Sequence, residues 1–176
     1  MAALVEAARD PAYPAEIACV VSNRPDAAGL KFARAQNIPT HVIDHKSYAT
    51  REAFDAALNV YLQSQKLDLI ACAGFMRVMT SVLLEPWAGK MINIHPSLLP
   101  LYKGTHTHER ALADGVKSHG CSVHYVTDEL DSGPVIARAE VPVLPGDTPE
   151  TLSARVLVEE HKLYPKALAM VAREQH

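Results

Sequence analysis

The chain has 176 residues, 48% hydrophobic and 21% charged, which suits one domain able to bury its own core. A net charge of -3 supplies no basic field, arguing against nucleic acid or an anionic membrane as partner, and Cys19, Cys72 and Cys121 lie in apolar runs without CxxC or zinc-type spacing. No run approaches the roughly 20 apolar residues of a membrane span, and the N-terminus lacks the plan of a signal peptide, so a cytoplasmic protein acting on small molecules is expected.

From the N-terminus, MAALVEAARD is helical in composition, PAYP breaks it, and EIACVVSN reads as a buried strand. Helix DAAGLKFARAQN then precedes strand THVID, and helix TREAFDAALNVYLQSQ precedes strand DLIACAGF. A short helix near TSVLLEPW leads to strand MINIH. Beyond the HPSLLPLYKG loop come helix THERALADG, strand CSVHYV, the DELDSG turn, strand PVIARAEVPVL and a long closing helix from TPETL to VARE. This alternation predicts an α/β fold: a doubly wound, mostly parallel sheet with helices on both faces, in a single domain spanning 1–176. Such a domain usually opens on a strand whose following turn cradles phosphate at a helix N-terminus. This chain starts inside what reads as the first helix, so that strand and its Gly-rich loop are expected to be missing.

The stretch MINIHPSLLPLYKG, residues 91–104, carries the chemistry. Side chains alternate along a strand, so Asn93 and His95 share one face while Ile92 and Ile94 share the other. Pro96 cannot continue a central ladder, so the chain leaves the sheet at the C-terminal strand end, where open α/β sheets bind ligands. DELDSGPV at 128–135 adds Asp131 in a turn before the next strand. Imidazole exchanges protons near neutral pH, and the Asn93 amide offers the fixed dipole that stabilises a developing oxyanion. Asn93, His95 and Asp131 together could polarise a carbonyl and move a proton. The plainer readings are a strand-end histidine satisfied by a carbonyl, a capping asparagine and a turn-forming aspartate.

Other motifs are weaker. His106 and His108 resemble a metal pair, but they open a helix with no matched carboxylate or cysteine nearby, so no metal is expected. No GxSxG elbow exists, and Ser97 follows Pro96 in a loop, which favours direct transfer to an external amine over a covalent enzyme intermediate. Glu159, Glu160 and His161 lie on the closing helix, where charge runs usually face solvent.

The runs NIHPSLLPLYKGTHTHERAL, SVHYVTDELDSGPVI and VLVEEHKLYP resemble the folate-dependent glycinamide ribonucleotide formyltransferase family of purine biosynthesis, over nearly the whole chain. The resemblance implies a Rossmann-like formyltransferase domain in which Asn93, His95 and Asp131 transfer formyl from the co-substrate 10-formyltetrahydrofolate to the amine of glycinamide ribonucleotide. It implies folate contacts at Arg51, at Met76, Arg77, Val78 and Met79, at Asn93, and along Thr127, Asp128, Glu129, Leu130 and Asp131. Glu160 matches the family residue that binds the ribose hydroxyls. The implied partners are these small molecules, with no nucleic acid or membrane, in a monomer or homodimer. The family's first strand and Gly-Ser-Asn phosphate loop match nothing in this sequence, so the domain is expected to be N-terminally shortened. The alternatives are a formyltetrahydrofolate hydrolase, with water as acceptor, and a non-catalytic folate or nucleotide binding subunit.

Overall fold

The computed structural model describes residues 1–174. Helices α1 (Ala2–Ala7), α2 (Ala28–Ala35), α3 (Arg51–Ser64), α4 (Ser81–Leu84), α5 (Thr107–Ala113) and α6 (Pro149–Glu174) alternate with strands β1 (Val20–Ser22), β2 (Thr40–Val42), β3 (Ile70–Cys72), β4 (Met91–His95), β5 (Ser118–Tyr125) and β6 (Val135–Pro142). None of the described helices is long and apolar enough to cross a membrane.

The sheet is mixed. β1 pairs with β2 and β3 with β4 in parallel, as helical crossovers require. β5 and β6 then add antiparallel, joined by the connection that contains Asp131. The helix-covered α/β architecture expected from sequence is present, with parallel pairing confined to the first four strands.

The ladder is also interrupted. β1 and β2 form a two-stranded piece, and β3, β4, β5 and β6 form a four-stranded one. Between them runs a groove of about 690 Å³, lined by Val20 and Val21 on one side and by Ile70 and Ala71 on the other. No described strand occupies it.

Two apolar layers sandwich the larger piece. On one face, Leu152, Val156, Leu163 and Leu168 of α6 meet Ile92, Cys121, Val123 and Val141. On the other, Phe54, Leu58 and Leu62 of α3, spaced at successive helical turns, meet Cys72, Leu83, Trp87 and Met91. Each such side chain contributes about 1.5–3 kcal/mol by leaving water. Burial within this core pushes the Cys72 and Cys121 thiols up to about 12, so they stay protonated and inert at neutral pH.

The segment after β3 is held from the first turns of α3. The Thr50 hydroxyl caps α3 by accepting from the Ala53 N–H at 3.1 Å. One turn further on, buried Asp55 accepts from the Thr80 N–H at 2.6 Å and the Thr80 hydroxyl at 2.8 Å, tying residues 75–80 to α3. Packing thus delivers this segment beside the end of β4.

Candidate active site

Alternation along β4 and β5 creates the site. Asn93 lies opposite His124 and His95 opposite Ser122, so these four share one face while Ile92, Cys121 and Val123 enter the α6 core. His95 is 6% exposed and His124 2%. The turn after β5 folds back over them and brings in Asp131, whose side chain is 8% exposed. Gly133 makes that return possible, because a Cβ there would sit 1.8 Å from the Tyr125 carbonyl oxygen. Asp131 itself has φ 49, a left-handed conformation costing about 1 kcal/mol in an L residue.

Asp131 sits between two imidazoles: its Oδ2 is 3.4 Å from His95 Nδ1 and its Oδ1 is 3.6 Å from His124 Nε2. Its one short bond comes from the Gly104 N–H, 2.8 Å from Oδ2. The His95 Nε2–H donates to the Tyr102 carbonyl at 2.9 Å, since a carbonyl can only accept. Nδ1 is therefore the His95 nitrogen left for proton traffic, and it faces Asp131.

His124 completes the cluster. Its Nδ1–H donates to the Tyr125 carbonyl at 2.9 Å, and its Nε2 lies 3.5 Å from the Asn93 amide nitrogen. Burial pushes the His124 pKa down, outweighing the Tyr125 carbonyl and the Asp131 charge, which pull it up. A neutral His124 accepts from the Asn93 Nδ2 through its free Nε2. That contact orients the amide, leaving the second Nδ2 hydrogen and the Asn93 oxygen for a ligand.

The sequence reading missed His124. Its signal was the Ser122-x-His124 spacing, which puts a second polar side chain on the face opposite Cys121 and Val123.

The other sequence-derived positions divide. Thr127, Asp128, Glu129 and Leu130 lie on the exposed part of the turn that ends in Asp131. Met76 and Val78 are 81% and 59% exposed, whereas Met79 packs into the same core cluster as Val126. Segments 75–79 and 126–131 thus emerge side by side from the core next to β4. Arg77 lies with its guanidinium 5.3 Å from the Phe54 ring centre and its Nε buried without a partner. Arg51 is exposed at the start of α3.

Glu160 stands apart from the trio. It lines a separate cavity of about 170 Å³ with Gly74, Ile94, His161 and Tyr164, and Ile94 is on the face of β4 opposite Asn93 and His95. Burial pushes the Glu160 carboxyl up, with the Met1 ammonium partly opposing the shift.

His106 and His108 do not converge. His106 is exposed beside Glu109, while His108 packs edge-on against buried His119 with ring centres 5.2 Å apart. Among the described residues, no group of three or more His, Cys, Asp or Glu could hold a metal ion. Ser97 is fully buried, donating to the Leu101 carbonyl at 2.5 Å, which removes it as a nucleophile.

Comparison with known proteins gives a consistent picture. The formyl transferase family profile matches residues 1–168. The chain is 42% identical over 170 residues to a phosphoribosylglycinamide formyltransferase of Escherichia coli strain K12, covering 97% of this chain and 80% of that one. It is 46% identical to the human trifunctional purine biosynthetic protein adenosine-3, covering 97% of this chain but 17% of that relative's length. A phosphoribosylglycinamide formyltransferase structure from Brucella melitensis superimposes with a TM-score of 0.93 at 50% identity, covering 97% of this chain and 88% of that one.

Proposed function

The chain belongs to the formyl transferase family, and from that premise we propose that it transfers the formyl group of 10-formyltetrahydrofolate to the amine of glycinamide ribonucleotide in purine biosynthesis. The observation that carries this reading is the meeting of Asn93, His95 and Asp131 at the end of β4, with 3.4 Å between Asp131 Oδ2 and His95 Nδ1.

In this reading the substrate amine attacks the formyl carbon, a carbon–nitrogen bond forms, and the carbonyl electrons move onto oxygen. The Asn93 amide and the protonated His95 Nδ1 hold that oxyanion. Asp131 orients the imidazole and compensates its charge. The bond to N10 of the folate then breaks, and N10 takes up the proton lost by the attacking nitrogen. Much of the acceleration comes from holding two substrates in reacting geometry.

Folate binding is assigned to Met76, Arg77, Val78, Met79 and Thr127 to Asp131, with Asn93 at the formyl end and Arg51 at the outer end. The exposed apolar surface of Met76, Val78 and Leu130 supports this assignment, because such side chains suit the faces of a pterin ring. Glu160 is assigned to the ribose of the nucleotide. A carboxyl held high by burial gains a hydroxyl partner when the sugar binds.

The test is a formyl-transfer assay with the purified chain and both substrates. Transfer that requires the amine supports the reading. Formate release independent of the amine would assign a hydrolase, and folate binding without either reaction would assign a binding subunit.

A further inference from the structure

Three consecutive residues touch three different parts of the site. The Tyr102 carbonyl accepts from His95 Nε2 at 2.9 Å, and the Gly104 N–H donates to Asp131 Oδ2 at 2.8 Å. Between them, Lys103 Nζ donates to the Ser132 hydroxyl and lies 3.4 Å from Glu129 Oε1. Residues 102–104 thus set the separation of His95 and Asp131, which belong to distant parts of the chain.

The Gly104–Asp131 contact exists only while this segment stays docked on the 129–132 turn, whereas the Tyr102–His95 contact ties the same segment to the end of β4. Both surfaces are irregular: Tyr102, Gly104 and Asp131 have φ of 54, 79 and 49. Neither surface gains support from a strand ladder. The remaining contacts of the segment run elsewhere, the Tyr102 hydroxyl to Asp114 at 2.9 Å and Arg110 to the Lys103 carbonyl at 2.7 Å, which fasten it to α5. Lys103 is the side chain that hydrogen-bonds across to the turn. Its target is well built, because the Ser132 hydroxyl passes its own hydrogen to the Leu130 carbonyl at 3.0 Å and keeps a lone pair for the ammonium. Glu129 is 75% exposed, so that half of the contact is screened by salt and the directional part falls to Ser132.

We infer that Lys103 is a positioning residue for formyl transfer: by clasping the 129–132 turn it holds Asp131 at the distance from His95 that the reaction requires. The inference rests on the function proposed above.

Steady-state transfer is measured for wild type, Lys103→Met, Lys103→Arg, Ser132→Ala and the Lys103→Met/Ser132→Ala double variant, with exchange of the Gly104 amide followed in the same proteins. Lys103→Met lowers kcat about tenfold, keeps the KM for the nucleotide within about twofold, and leaves the unfolding midpoint in place. Lys103→Arg recovers most of the rate, and the double variant is no slower than Lys103→Met, because both changes remove one clasp. The Gly104 amide exchanges faster in Lys103→Met than in wild type. Additive losses, an unchanged kcat in Lys103→Met, or an unchanged Gly104 exchange rate would each overturn the inference. A wild type with no transfer activity overturns the proposed function instead, and the exchange rates then decide on the clasp alone.

Discussion

Two aspartates of this molecule, with side chains 5% and 8% exposed, are bonded in opposite ways. Asp147, ahead of α6, accepts from the Leu144 N–H at 2.7 Å, the Thr151 hydroxyl at 2.9 Å and both terminal nitrogens of Arg155 at 2.7 and 2.9 Å. Both oxygens are saturated, and the Arg155 fork, followed by the Leu144 N–H, holds the carboxyl well below the usual carboxylate range. Asp131 has one short bond, from Gly104, and faces its two imidazoles at 3.4 and 3.6 Å. A saturated carboxylate contributes to the fold and has nothing to offer a ligand. A carboxylate with spare lone pairs in a buried cleft adds less to the fold and keeps them for chemistry.

Substitutions break or sharpen this contrast. The largest effect is expected at His95→Ala and Asp131→Asn, which lower kcat for formyl transfer by about a thousandfold, Asp131→Asn shifting the unfolding midpoint by less than about 2 °C. A midpoint loss at Asp131→Asn as large as that at Asp147→Asn would erase the distinction. Asn93→Ala follows, with kcat down about a hundredfold and thermal unfolding unchanged, the cost of one oxyanion donor. In the opposite direction, Asp147→Asn lowers the midpoint by about 5 °C and leaves kcat within about twofold, measured on the same preparations.

Much of the site was legible because β4 is short, amphipathic and ended by a proline. Alternation put Asn93 and His95 on one face, Pro96 put them at the strand end, and DELDSG supplied a turn with a carboxylate. His124 escaped because a histidine amid apolar strand residues reads as core until its neighbour across the sheet is known. Strand pairing is a long-range fact, and the Asn93–His124 register cannot be read from either segment alone. Runs such as IACVV and DLIAC announce burial without saying how many strands they pair with. Glu160 came from resemblance, and α6 packs it onto the other face of β4 because Val156 and Leu163 are the residues that dock.

Acid sharpens the comparison least but from a separate direction. Burial, with His108 nearby, pushes the His119 pKa down from 6.5 to about 4. Unfolded protein therefore binds more protons than folded protein in that interval, so stability falls as pH drops from 6.5 towards 4. His108, lowered by its own burial, acts in the same sense. Asp147 contributes nothing to this slope: its folded value is depressed below 3.8, so its stabilisation is intact above 3.8 and fades only below. Unfolding midpoints recorded from pH 4 to 7 should show a fall in wild type that is reduced in His119→Gln. An equal fall in both would move its origin away from His119.

The groove between β1 and β3 has a consequence for how the protein behaves in a tube. A continuous six-stranded sheet has two borders, whereas this one has four, at β1, β2, β3 and β6. Peptide groups along β1 and β3 look out on an opening walled by valine, isoleucine and leucine. Such borders attract strands from neighbouring molecules. This seam is therefore the part of the fold that a strand from a neighbouring molecule would pair with most readily.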